Sequence, residues 1–275
     1  MKVFPPRPGP LLAGLFLAVA PASASEIDIS EIISLPAGDV IVLGEIHHNP
    51  AHHLNQATAI AALRPAALVF EMFGPDAALA ATPEIRASPA RLEEALGWAD
   101  SGWPDFAMYY PIFVAAPDAA IFGGDIPRDQ VRRAVLDGAA AVMGASAPVF
   151  GLHKPLGVDE QAAREDIQRT AHCDALPDEM LPGMVEAQRL RDAGLARAVL
   201  AALAETDGPV VVITGNGHAR NDWGMPRMLN QARPDVEITT IAQFEEPRET
   251  APFDHWIVTH TIARDDPCLA FQSRD

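Results

Sequence analysis

Four histidines fall within seven residues of this chain, in the run Gly44-Glu45-Ile46-His47-His48-Asn49-Pro50-Ala51-His52-His53. An imidazole titrates near neutral pH and carries a ligating lone pair, so this density suits proton transfer or metal binding. Glu45 adds a carboxylate two residues before His47, and the Gly-x-x-His spacing recurs at Gly215-Asn216-Gly217-His218. Glycine lets the chain turn sharply at such a point. Two imidazoles with one or two carboxylates form a first-row metal-ion ligand set. The same groups form a general acid–base set. His52 and His53 would lie in the first turn of a helix, where the dipole favours a neutral, ligating imidazole.

The elements that must position these residues follow from the pattern. Val40–Leu43 reads as a strand buried on both faces, broken at Gly44. Asn49-Pro50 reads as a helix start, an N-cap followed by proline at the first position, and the helix runs to about Leu63. Further apolar runs at 67–72, 119–123, 148–152 and 209–214 read as strands, with 236–243 next and 255–262 as an edge or antiparallel strand. Helices fill the intervals 127–141, 159–171, 178–205 and 226–231. Strand and helix alternate, which predicts an α/β fold with a mostly parallel central sheet flanked by helices. Residues 74–113 break the rhythm and predict a helical, aromatic-rich insertion ending in Trp103, Phe106, Tyr109 and Phe113. The strands end in Glu45 and His47, Glu71, Asp125, His153 and His218. In a parallel sheet those ends share one edge, so Glu45, His47, Glu71 and His218 are expected to line one pocket.

Composition narrows the partners. With 20 basic residues, 37 acidic ones and a formal charge of −17, the chain repels phosphate backbones, so nucleic acid is not expected as a partner. Residues 1–24 read as a signal peptide: Lys2 and Arg7, an apolar stretch from Leu11 to Ala20 too short to span a bilayer, then Ala22-Ser23-Ala24. The expectation is an exported, periplasmic protein whose mature part, 25–275, is one domain without an integral membrane segment. Cys173 and Cys268 are the two cysteines. In an oxidising compartment they are expected to form a disulfide.

Several longer runs resemble one family: G-E-I-H-H-N-P-A-H-H-L-N-Q, V-F-E-M-F, W-P-D-F-A-M-Y, G-G-D-I-P-R and T-G-N-G-H-A-R. They are similar to the ChaN-like haem-binding uptake proteins of the Tiki and erythromycin-esterase-like superfamily. The resemblance implies haem binding linked to iron uptake, and a homodimer. It also implies a tyrosinate ligand, for which Tyr109 stands in the family-like M-Y-x-P pattern; the residues themselves offer His47, His48, His52 and Arg128 as further haem contacts, with Arg128 facing a propionate. The wider superfamily implies a different use of the same positions. There, Glu45, His47, Glu71 and His218 would form a hydrolytic centre for an ester or peptide bond, and His47, Glu71 and His218 would hold a divalent ion such as Zn, Mn or Co. Each residue also has a structural alternative. The aromatic rings can be core, and Glu45 and Glu71 can form salt bridges with Arg128 or Arg220.

Overall fold

Val40–Glu45 forms strand β2, and all six residues are buried. The computed structural model describes residues 24–35, 38–266 and 268–269. The signal-peptide expectation therefore lies outside the described residues, apart from Ala24. Around β2 stand β1 (Ser25–Glu26), β3 (Ala67–Phe70), β4 (Ala120–Gly123), β5 (Val210–Gly215), β6 (Ile238–Phe244) and β7 (His255–Val258). Their order is β1-β7-β6-β2-β5-β3-β4, and every pairing is parallel. This is the expected α/β class.

Strands buried on both faces explain the unbroken Val and Ile runs. Side chains alternate between the two faces. Val40, Val42, Val69, Val210 and Val212 pack with Leu190, Leu195 and Val199 of the long helix Leu181–Glu205. Ile41, Leu43, Phe70 and Ile213 pack on the other face with Ile60 and the insertion. Each fully buried aliphatic side chain contributes about 1.5–3 kcal/mol. The helix Pro50–Leu63 starts as expected, with the Asn49 side chain accepting from the Ala51 N–H. Among the described residues, no helix is long and apolar enough to cross a membrane.

Two expectations need correction. Pro148–Leu152 is a succession of turns, not a strand. Proline supplies no N–H to a ladder, Gly151 takes a positive φ of 71°, and Leu152 closes back on Ala147 at 3.0 Å. His153 is therefore exposed and ends no strand. The segment at 255–262 yields only β7, which is parallel and interior, because β1 pairs alongside it as the edge. The aromatic rings of the insertion are largely core, the structural alternative weighed for them. Trp98, Phe106, Tyr109 and Phe113 are buried, and Phe113 stacks on Phe70 with ring centroids 4.6 Å apart. Cys173 and Cys268 form a disulfide, with their Cα atoms 5.5 Å apart.

Candidate functional site

The carboxyl ends of β2, β5 and β3 lie side by side, because β5 sits between the other two. The register pairs Gly44 with Thr214 and Glu45 with Gly215. The two Gly-x-x-His turns thus leave adjacent strands. Both glycines are required by close approach. A side chain at Gly44 would meet the Asn216 amide and the β6 backbone, and a Cβ at Gly215 would stand 2.8 Å from His47 Nε2.

Glu45 is the hub of the first turn. Its Oε1 accepts from His47 Nδ1 at 2.7 Å and from the Tyr109 hydroxyl at 2.6 Å. Its Oε2 accepts from Gln56 Nε2 at 2.8 Å, and His53 Nδ1 lies 3.4 Å from it. Burial disfavours the carboxylate, but the hydrogen bonds from His47 and His53 outweigh it, and the pKa falls below the ordinary carboxylate range. The bond to Glu45 fixes His47 as the Nδ1–H tautomer and leaves Nε2 directed at the crevice. Burial lowers the His47 pKa, but the Glu45 hydrogen bond and the charge of Glu71 outweigh it, so the net shift is upward.

The second turn has its own carboxylates. His218 Nδ1 donates to Asp192 Oδ1 at 2.7 Å, and its Nε2 lies 3.5 Å from Glu71 Oε1. The other oxygen of Glu71 accepts from the Thr214 hydroxyl and the Gly215 N–H, both at 2.7 Å. Burial opposes the imidazolium, yet Glu71 and Asp192 raise its pKa to about 9. Asp192 itself is pushed upward by burial.

These groups face a cavity of about 720 Å³, within the size range of small-molecule sites. Its lining includes the ionisable Glu45, His47, Glu71 and His218 and the apolar Met72, Trp103, Ile126, Val131 and Leu195. Arg128 and Arg191 are the cavity's guanidinium groups. The Trp103 ring meets the His47 ring edge-on at 4.8 Å between centroids.

The expected pocket of Glu45, His47, Glu71 and His218 is therefore present, and Arg128 joins it. Neither glutamate is paired with an arginine; their partners are the imidazoles. Three expected haem contacts lie elsewhere. His52 is fully buried, accepts from the Ile46 N–H at 2.9 Å and bonds Thr259 at 2.9 Å through its other nitrogen. Burial pushes its pKa down to about 4. His48 is exposed and outside the cavity lining. Tyr109 is wholly buried, and its phenol proton is engaged by Glu45. Burial first, and then the Glu45 charge, raise its pKa and hold it as the phenol. It does not line the cavity.

The expected metal set finds no support in the geometry. Among the described residues, no group of three or more His, Cys, Asp and Glu side chains is arranged to hold a metal ion. His47, Glu71 and His218 do approach one another, but one oxygen of Glu71 is already bonded to two donors.

Sequence reasoning missed Asp192, Arg191 and Gln56. Asp192 had a signal. Val185, Arg189, Asp192, Ala196 and Val199 follow 4-3-4-3 spacing, so a carboxylate sits within a buried helical stripe.

A family model described as haem-binding uptake, Tiki superfamily, ChaN matches residues 32–229. The chain belongs to this haem-binding uptake family. A solved structure described as cofacial heme binding to ChaN of Campylobacter jejuni resembles this member with a TM-score of 0.60 at 19% identity, covering 78% of this chain and 84% of that one. The likeness shows the ChaN-type fold. The type III effector HopBA1 is a more distant neighbour, with a TM-score of 0.42 and 11% identity over 85% of this chain and 92% of that one. No curated protein matches.

Proposed function

We propose that this protein binds haem in the cavity at the carboxyl edge of the sheet and serves haem or iron uptake as an exported protein. One observation carries the assignment of the site. His47 lines the cavity, and because Glu45 holds its Nδ1–H at 2.7 Å, Nε2 is the nitrogen left for a ligand. A metal-ligating histidine with its second nitrogen bonded to a carboxylate is a common and well-oriented donor. Haem iron takes imidazole readily as an axial ligand. The remaining residues fit the group: Met72, Trp103, Ile126 and Leu195 offer apolar surface, and Arg128 offers a cation. Family membership supports the same reading, and so does the haem named for the Campylobacter jejuni relative.

The test is a hemin titration of the mature protein followed at the Soret band. The expected result is a saturable spectrum that His47→Ala weakens at least tenfold. A spectrum and affinity unchanged by His47→Ala would remove the ligand assignment. Export predicts a mature N-terminus at Ser25, and N-terminal sequencing of periplasmic material checks it. A homodimer sharing the ligand belongs to this proposal, and light scattering with and without hemin tests it.

A second reading is acid–base hydrolysis of an ester or peptide bond. The observation behind it is the convergence of two His–carboxylate pairs on one cavity. His47 Nε2 would take the proton of an attacking water, and protonated His218 would face the developing negative charge. Ester hydrolysis abolished by both His47→Ala and His218→Ala, with no specific hemin spectrum, would put this reading first.

A further inference from the structure

The turns at 148–152 wall a second, small cavity of about 70 Å³. It shares no lining residue with the cavity at the carboxyl edge of the sheet. One buried water needs roughly 10–15 Å³ of such space, so this cavity holds a few waters or one small polyatomic ion. Four of its lining side chains are cationic: Lys154, Arg164, Arg189 and Arg227. No carboxylate is among its lining residues. On a chain with 20 basic and 37 acidic residues, that grouping runs against the overall charge. Lys154 is one of two lysines in the sequence, the other being Lys2, so the cavity takes a residue type that the chain otherwise hardly uses.

Two of the guanidinium groups are buried and held in place. Arg189 is 6% exposed and donates to the Leu152 carbonyl at 3.3 Å, the Lys154 carbonyl at 2.9 Å and Glu186 at 2.6 Å. The turn is thus wrapped around it. Arg164, also 6% exposed, meets Glu160 through Nε and Nη2 and the Trp223 carbonyl through Nη2, and it lies 5.3 Å over the Trp223 ring. Arg227 shares Glu160. Lys154 enters no ion pair among the described residues, whereas the other three do. Four cations therefore meet two carboxylates, Glu160 and Glu186, which leaves an excess of two positive charges. Asp192, whose charge also reaches Arg164, is bonded to His218. Burial lowers the Arg164 pKa and the Arg189 charge pushes the same way, while Glu160 and Asp192 oppose them. Buried like charges are costly unless an anion compensates them. Arg164 Nη1, Arg189 Nε and the Lys154 ammonium remain as donors, and the two arginines need little ordering to use them.

We propose that this cavity binds a tetrahedral oxyanion of charge near −2, a phosphate group, through Lys154, Arg164, Arg189 and Arg227. A phosphate monoester carries about −1.5 to −2 at neutral pH, which matches the excess of two positive charges. Guanidinium forks and ammonium groups are its usual partners. The site is too small for a porphyrin and does not rest on the haem reading. The same chemistry comes from a soluble phosphate or from a lipid headgroup. The lipid source has its own observation: Val149 and Val158 are 46% and 86% exposed, and they adjoin the segments 150–151 and 154–156 that line the cavity.

The experiment is calorimetric titration of the purified protein with inorganic phosphate, at ionic strength held constant with potassium chloride, together with thermal unfolding in the same solutions. Wild type is expected to bind phosphate saturably and to gain Tm with it, whereas nitrate has no such effect. Loss of one charge-assisted contact should weaken phosphate binding about tenfold in Lys154→Gln, with the phosphate-free Tm unchanged. Lys154→Arg should restore binding. Arg91→Gln should bind as wild type does, because it alters an exposed arginine of the helix Pro89–Ala95, which packs on the opposite face of the sheet. Equal phosphate affinity in wild type and Lys154→Gln overturns the site. Nitrate binding as tight as phosphate binding reduces the cavity to a general counter-ion site and overturns it too. If Lys154→Gln alters the phosphate-free Tm, acetylation of wild type read by mass spectrometry decides: phosphate must protect Lys154, and equal labelling with and without phosphate refutes the proposal. Co-sedimentation with phosphatidylcholine vesicles containing phosphatidic acid, reversed by inorganic phosphate, supports the site with a lipid source. Phosphate binding without vesicle binding supports it with a soluble one. Neither phosphate nor vesicle binding by wild type overturns it, and leaves the haem reading untouched.

Discussion

Replacing Tyr109 by Phe separates a buried strut from an iron ligand. Tyr109 is fully buried and gives its hydroxyl to Glu45 Oε1 at 2.6 Å. The variant keeps the ring, its packing on Trp98 and its contact with His53. Only one donor to a buried carboxylate is lost. A hydrogen bond to a charged group contributes about 1.5–3 kcal/mol. Glu45 Oε1 still holds the His47 N–H, so it is not orphaned, and the expected loss is about 2 kcal/mol. For a domain of this size that lowers Tm by roughly 4–8 °C. The pH dependence has a definite sign. The folded pKa of Glu45 is lowered, so stability from its donors is present above the ordinary carboxylate pKa and is lost as pH falls through the folded value. The gap between wild type and variant should be widest near pH 7 and should close in acid. Thermal unfolding by circular dichroism across that range measures it, alongside hemin titration at neutral pH. Hemin affinity should change by no more than a few-fold, since the phenol does not reach the cavity. A tenfold loss of hemin affinity with unchanged Tm would refute the argument and return Tyr109 to the iron.

Protonation of His47 occupies the lone pair needed for ligation. Because its pKa is raised, hemin binding should weaken as pH falls through that raised value, and spectra recorded between pH 5 and 9 will show whether it does. Asp192→Asn should lower the His218 pKa from about 9 toward its ordinary value, readable by NMR titration of the ring. A raised histidine pKa gives stability that is full below about pH 6.5 and is lost as pH rises through about 9. The variant should therefore be less stable at neutral pH, with Glu71 still compensating the ring, and an unchanged alkaline limb of the stability profile would contradict this. Replacing both Cys173 and Cys268 by Ser should lower stability by about 2–4 kcal/mol in denaturant unfolding, because the bridge closes a long loop of sequence separation 95.

The strand ends were legible because two constraints coincide there. A doubly buried strand must be apolar throughout, so the first ionisable residue after Val40–Leu43 or Val210–Ile213 marks where the sheet's edge meets solvent. Parallel pairing then brings Glu45, His47, Glu71 and His218 together without any need to know the strand order. Pro148–Leu152 satisfied the apolar rule for another reason: Phe150 and Leu152 dip into the core from a turn. Composition cannot separate those cases over five residues. The roles of individual histidines were not legible either. His47 and His52 share a residue type and a neighbourhood, yet Thr259 claims one and Glu45 the other. Those partners are set by tertiary packing, and Thr259 is distant in sequence. The setting of Tyr109 was hidden for the same reason, since nothing local records that its hydroxyl ends at Glu45.

The position of β5 has a consequence for how the molecule is assembled. It is wedged between β2 and β3, although it follows both by well over a hundred residues. Until it arrives, β3 has only β4 beside it, and β2 stands apart with both edges bare. A ribosome that has not yet released residue 215 therefore holds two unjoined fragments of sheet, and neither contains a cavity. The insertion of Val210–Gly215 joins them and, in the same movement, carries Thr214, Gly215 and His218 up to Glu71 and His47. Pairing across such a sequence distance is slow compared with local helix formation. The receptor for a ligand is thus completed only once β5 is inserted, and a chain that ends before it offers unpaired strand edges rather than a partial binding site.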